Sequence, residues 1–325
     1  MAPPTVEVEV EVDVASGSVA LTTRRWSRLL PSDLETREKW LGFFIFLPVI
    51  LLFTIFFAYP LCYGIALSFY KLNTLTLSGP FVGLDNFGTF LTSSDVRNAL
   101  GNSLYWTLAS LALNLLLGLL VALALNERFP GRNLARGLAL SSYLIPLVVS
   151  AAIWQWMFNP QYGIVNYTLS HLFGLTPVAW LSDPHTAMPA AILLNVWRTF
   201  PFVVIVLLPR LQTIPEELYS AAKVDGASAW DRFVDVTLPH LRSLFIVLIL
   251  LRFIFDFNDF TTLALLTGGG PVHATETLPL LVYRQMFGLA NTGAAAAVAV
   301  LMLLFLLILS VLYLQLVNRG EAVRE

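Results

Sequence analysis

Thr213-Ile-Pro-Glu-Glu-Leu-Tyr-Ser-Ala-Ala-Lys-Val-Asp-Gly-Ala-Ser-Ala-Trp230, running on to Leu238-Pro239, is a compact polar segment between two long apolar stretches. Its residues read as two short helices. Thr213 can cap the first, Pro215 suits a first turn, and Glu216 stands at the capping-box position. That helix runs through Glu217, Leu218, Ser220, Ala221 and Ala222, and Asp225-Gly226 breaks it. Ser228 to Asp231 offers a second capping box, opening a helix that reaches about Val236 and ends at Leu238-Pro239. Two capped helices joined at a glycine form a stiff elbow. Ala221, Ala222, Gly226 and Ala227 at its apex leave room for another surface to approach closely. The alternative is an amphipathic linker lying along a lipid surface, and the caps and small apex residues favour docking over it.

The chain on either side is membrane-like. Of 325 residues, 57% are hydrophobic and only 12% charged, about half the charge of a soluble domain. The apolar residues fall into six blocks, roughly 41–69, 103–125, 134–158, 186–209, 241–266 and 293–317. Each reaches the ~20 residues that cross ~30 Å of hydrocarbon as a helix. Of the 19 Lys and Arg, only Lys71, Arg97 and Arg284 fall on one side of these blocks, and Arg198 and Arg252 fall inside them. The other fourteen share the opposite side with the polar segment, which predicts that the segment and both termini are cytoplasmic. Residues 1–20 alternate Val with Glu or Asp and then turn to Ser and Gly. A lone strand there has nothing to pair with, so a disordered tail is expected. Arg24 to Arg37 form a basic collar.

Polar groups inside the blocks are few. Ser110, Asn114, Gly118 and Ala122 recur every four residues, which reads as a seam for close helix packing. Arg252, Asp256 and Asp259 follow at i, i+4 and i+7, on one face of a continuous helix. Each costs about 2.5–3.5 kcal/mol near a helix centre, so that face must turn to protein or water. Two readings stay open: an Arg252–Asp256 pair that locks helices together, or the lining of a polar path, with Asn258 and Asp259 suited to the latter. Trp197 and Arg198 stand near the outer end of the fourth block, where Arg198 could snorkel to the interface. Trp154 and Trp156 read as interfacial belt residues.

Catalytic signatures are missing. The sequence has no GxxxxGK[ST] loop for nucleotide phosphates, no HExxH, no CxxC and no GxSxG. His171, His185, His240 and His273 are scattered without metal-ligand spacing. A net charge of -2 gives no support to nucleic-acid binding.

The run Ser220-Ala-Ala-x-x-x-Gly226, then nine residues to Val236, then x-Leu238-Pro239, resembles the EAA loop of ABC-importer permeases. Trp197-x-x-x-Pro201-Phe202, Leu211-Gln-x-Ile-Pro-x-Glu-Leu-Tyr219 and Val224-Asp-Gly-Ala227 resemble the carbohydrate permeases of the maltose and glycerol-phosphate type. Val82-Gly-Leu-Asp-Asn-Phe87, Trp180-Leu-x-Asp-Pro184 and Leu266-Thr-Gly-Gly agree, and the resemblance covers roughly residues 40–317. It implies an all-α polytopic membrane protein with six transmembrane helices and a cytoplasmic coupling helix between the fourth and fifth, the type I ABC importer permease fold. Residues 1–39 would be a cytoplasmic segment, 40–318 the transmembrane domain and 319–325 a cytoplasmic tail, in a prokaryotic plasma (inner) membrane.

The resemblance further implies a transport subunit and not an enzyme. It would pair with a second homologous permease, dock on a cytoplasmic ATPase dimer, and receive a carbohydrate from an extracytoplasmic solute-binding protein. ATP and Mg²⁺ would sit on the ATPase, with no cofactor or metal on this chain. The coupling positions carried over are Glu217, Ser220, Ala221, Ala222, Asp225, Gly226, Ala227, Leu238 and Pro239. The family usually has Glu where this chain has Ser220, so a charged contact would pass to Glu216 or Glu217. The expected solute path is Trp197, Arg198, Arg252, Asp256, Asn258 and Asp259. The alternatives are an importer of a non-sugar solute such as glycerol-3-phosphate, and a stand-alone secondary transporter.

Overall fold

A computed structural model of the protein describes residues 9–13, 18–22, 45–76 and 78–322. The chain divides into two compact units, Met1–Tyr63 and Gly64–Glu325. In the first, β1 (Glu9–Asp13) and β2 (Ser18–Thr22) pair antiparallel, with Val10 opposite Leu21 and Val12 opposite Val19. This corrects the expectation of a disordered tail over these residues. The alternating strand does have a partner, because Ser18-Val-Ala-Leu-Thr22 carries the same period-two pattern. The basic collar and the boundary expected at residue 39 lie outside the described residues. Helix α1 (Ile45–Leu67) starts in this unit and continues into the second.

Among the described residues, regular structure from Ile45 onward is helical except for single bridges at Tyr70–Phe81 and Asn73–Asn291. The order is α2 (Asp85–Thr92), α3 (Ser94–Asn126), α4 (Arg132–Leu144), α5 (Leu147–Met157), α6 (Ile164–Phe173) and α7 (Ala187–Gln212). There follow α8 (Glu216–Val224), α9 (Ala229–Phe257), α10 (Thr261–Leu266), α11 (Leu278–Tyr283) and α12 (Thr292–Ala322). Helices α1, α3, α7, α9 and α12 are each long and apolar enough to span a membrane. The third expected span is the pair α4–α5, bent by 98°. Pro146 makes the bend: it disfavours helical backbone at the preceding residue, and Ile145 is accordingly extended at φ -74°, ψ 128°. Helix α12 runs past the boundary expected at residue 318.

The core of the second unit is the contact of α3 with α7. Ser110, Asn114, Gly118 and Ala122 are all buried in it, so the four-residue stripe is a packing seam. A Cβ on Gly118 would stand 2.5 Å from Val203 Cβ. Gly118→Ala therefore overpacks this seam and should destabilise the protein by about 1–3 kcal/mol. Thermal unfolding of purified protein would show it as a lowered midpoint, and an unchanged midpoint would refute the close approach.

At the opposite end of α3, Arg284 joins Asp95 at 2.8 Å and Glu276 at 2.7 Å, and His273 Nδ1 lies 3.1 Å from Glu276. Burial pushes the Glu276 carboxyl above its ordinary value, against the pull of Arg284. This cluster fastens the 267–277 loop onto α3, where Asn102 Nδ2 also donates to the Glu276 carbonyl at 3.0 Å.

Candidate functional site

The polar segment folds as an elbow at the α7 end of the domain. Helix α8 ends in a Schellman motif: Ala227 N–H donates to the Ala222 carbonyl at 2.9 Å, and Gly226 N–H to the Lys223 carbonyl at 3.1 Å. Gly226 takes φ +81°, a conformation open to glycine and costly to most side chains. Ser228 then forms the expected capping box: Asp231 N–H donates to Ser228 Oγ at 3.2 Å, and Ser228 N–H donates to Asp231 Oδ2 at 2.8 Å.

Two terminal signals act otherwise than expected. Thr213 closes α7, its hydroxyl donating to the Arg210 carbonyl at 2.8 Å, and the cap position of α8 is Pro215. Leu238-Pro239 does not end the second helix either. Leu238 N–H bonds back five residues to the Phe233 carbonyl, and this wide turn takes in Pro239, whose nitrogen has no proton to donate. The second arm of the elbow is thus the first part of the span α9, and Leu238 and Pro239 lie within that span.

The elbow is tied to the spans at three places. Tyr219 Oη lies 2.9 Å from Thr237 Oγ1, joining α8 to the base of α9. Arg210 Nε donates to the His240 carbonyl at 3.1 Å, joining α7 to α9. Arg128 pairs with Glu216, joining the α3–α4 connection to the start of α8. Behind α8, Leu211 and Ile214 are buried. Its outer face presents Glu217, Ala221 and Val224, and Ser220 spends its hydroxyl on the Glu216 carbonyl at 3.0 Å. Val224 is 89% exposed and Trp230 70%. Sequence reasoning had not selected these two apolar residues; their signal was large hydrophobic side chains on an otherwise polar segment.

The intramembrane charges come together within the bundle. Arg252 is 5% exposed and Asp256 2%. Arg252 Nη2 donates to Asp256 Oδ1 and, at 3.0 Å, to Thr199 Oγ1. Asn195 Nδ2 donates to Asp256 Oδ1 at 3.0 Å, Thr199 Oγ1 lies 3.0 Å from Asn114 Oδ1, and Trp106 Nε1 donates to the Asp256 carbonyl at 2.9 Å. One network therefore joins α3, α7 and α9. Of the two readings of the pair, the lock is the one with this geometry; Arg252 and Asp256 are sealed in protein and do not line an open path.

The geometry has counterparts among known proteins. Residues 114–320 match the family described as binding-protein-dependent transport system inner membrane component. The chain is 36% identical to the trehalose/maltose transport system permease protein MalF of Thermococcus litoralis, over 88% of this chain and 97% of that one. It is 33% identical to the diacetylchitobiose uptake system permease protein DasB of Streptomyces coelicolor, over 86% and 87%. A solved bacterial ABC transporter involved in the import of the acidic polysaccharide alginate contains a chain that superimposes with TM-score 0.77 at 26% identity, covering 88% of this chain and 98% of that one.

This chain belongs to the binding-protein-dependent inner-membrane permeases. It is a multi-pass inner-membrane transport subunit, and its all-α architecture is the expected type I importer permease fold. Within the permease, Arg198 is not near a helix end. It stands eleven residues into α7, about 16 Å along the axis, with fourteen residues still to follow. That places it mid-span, where snorkelling to the outer interface is no longer the natural reading. Its Nε is buried without a hydrogen-bond partner. Trp197 packs against Trp154 with the rings tilted by 58° and their centroids 5.8 Å apart, so Trp154 turns inward and only Trp156 points out as a belt residue would.

Asp259 leaves the face expected for it because α9 stops at Phe257. Its carboxylate accepts from Thr262 N–H at 3.0 Å and from the Thr262 hydroxyl, starting α10. Asn258 is exposed beside Pro279, Val282, Met302 and Leu306 in a groove of about 370 Å³.

Proposed function

We propose that this permease carries a carbohydrate across the membrane as one half of an ATP-driven importer. A second homologous permease forms the other half, an extracytoplasmic binding protein delivers the sugar, and a cytoplasmic ATPase dimer holds ATP and Mg²⁺. The observation that carries this reading is the elbow: a capped, glycine-jointed projection, fastened to α7 and α9, with Val224 and Trp230 exposed at its bend. Such a part suits a neighbour that must push on the spans. Nucleotide binding that favours one closed ATPase arrangement would bias a two-state membrane domain through it. Both termini and the elbow face the cytoplasm, following the Lys and Arg distribution.

In this reading the ATPase contacts are Glu217, Ala221, Ala222, Asp225, Gly226 and Ala227, joined by Val224 and Trp230. Ser220 contributes shape only. Trp197, Arg198 and Asn258 border the solute path, and Asp259 shapes it through α10. The choice of a sugar rests on relatives named for trehalose/maltose and diacetylchitobiose transport. A stand-alone secondary transporter gives the elbow no role. Thermal unfolding of the cognate binding protein against a solute panel tests the substrate class: a mono- to oligosaccharide should raise its midpoint, and stabilisation only by non-carbohydrate solutes such as glycerol-3-phosphate would overturn the sugar assignment.

A further inference from the structure

A cavity of about 790 Å³ lies between α8 and the ends of the spans. Its floor is apolar: Leu123 from the last turns of α3, Leu211 from the last turn of α7, Ile214 and Phe233. Its rim is cationic, with Arg128, Arg132, Lys223 and Arg232 against Glu127 and Glu216. Much of that charge is uncommitted. Glu216 is paired with Arg128. Arg132 reaches only the Asn126 and Glu127 carbonyls, at 3.5 Å, and Arg232 donates to the Ala227 carbonyl at 2.9 Å. No carboxylate pairs with Lys223, Arg132 or Arg232 among the described residues.

The cavity uses the inner face of α8, through Glu216, Tyr219 and Lys223, while Glu217, Ala221 and Val224 lie on the outer one. These sets are separated by helical spacing, so an occupant of the cavity and a protein docked on the outer face do not compete for the same side chains.

We propose that this cavity binds the headgroup of an anionic phospholipid. The floor begins where two spans end, at the depth of the hydrocarbon boundary, and suits the glycerol backbone and first methylenes. The net positive rim just above suits a phosphate. The surface potential of anionic lipid adds to the attraction at that level. A headgroup bridging Arg132 and Lys223 would link the start of α4 to α8 and hold the elbow against the spans. Lipid binding stands or falls apart from what the importer carries.

The test is native mass spectrometry of the intact transporter titrated with phosphatidylglycerol or phosphatidylcholine. The wild type should retain one phosphatidylglycerol that phosphatidylcholine does not replace. Arg132→Gln with Lys223→Gln should weaken that binding by about 30-fold, while Arg132→Lys with Lys223→Arg retains it. Lys223→Gln alone, on the exposed helix, serves if the double variant does not fold, with a loss of about fivefold. Equal retention by wild type and the Gln variants, or no preference over phosphatidylcholine, would overturn the proposal. So would complete displacement by millimolar inorganic phosphate, which would make the ligand a free anion, or loss of the lipid only when the ATPase is docked, which would make the occupant protein.

Discussion

Gly226→Val should lower solute-stimulated ATP hydrolysis and uptake by at least about tenfold in reconstituted vesicles, while leaving membrane insertion intact. The reason lies in the elbow's backbone. Gly226 holds φ +81° so that its own N–H and that of Ala227 can close the Schellman motif at the end of α8. A left-handed conformation costs an ordinary L-residue about 1–2 kcal/mol, and a β-branched side chain is among the least tolerant. Relieving that strain means reopening the joint between α8 and α9. A tenfold loss corresponds to about 1.4 kcal/mol of misplaced coupling, the size of the strain itself. Beyond its chain neighbours no atom lies within 4 Å of the site where a Cβ would stand, so the cost of the substitution is backbone strain at the joint and not a Cβ clash with the spans. Gly226→Asn, which tolerates the left-handed region, should keep most of the activity and separates joint geometry from bulk at the docking face. Wild-type stimulation in the valine variant would count against the lever.

The second large effect concerns stability. Arg252→Leu leaves the Asp256 carboxylate 2% exposed with its guanidinium gone. Breaking a buried pair from one side costs about 3–5 kcal/mol, whereas replacing both partners by apolar residues is often neutral. Arg252→Leu should therefore fall sharply in thermal unfolding, and Arg252→Leu with Asp256→Leu should recover much of the loss. In the double variant the Thr199 hydroxyl keeps Asn114 Oδ1 and the Asn195 backbone carbonyl as partners, while the Asn195 side-chain amide loses Asp256, which limits the recovery. A single variant as stable as the wild type, or a double variant no better than the single, would remove the pair from its role as the lock between α7 and α9.

Hydropathy made the spans readable because lipid demands about twenty apolar residues whatever they pack against. The elbow was readable because caps and a left-handed glycine are local chemistry, set by residues within one turn. What escaped depends on partners distant in sequence or on a local geometry with two solutions. Pro239 reads as a stop until a wide turn at Phe233–Thr237 absorbs it. Asp259 shares a face with Arg252 only if α9 continues, and its carboxylate instead accepts from Thr262 N–H in the first turn of α10. Trp154 reads as a belt residue until α7 brings Trp197 against it. The alternating strand Glu9–Asp13 finds its partner in Ser18–Thr22, whose own alternation is masked by the serine and glycine residues around it.

Uptake by vesicles holding the copurified transporter is the most direct test of the permease as an ATP-driven importer. Radiolabelled sugar presented with its binding protein should accumulate only with ATP on the elbow's side of the membrane, and ionophores that collapse ion gradients should leave the rate unchanged. Accumulation driven by an ion gradient through this chain alone, without ATP, would contradict the account.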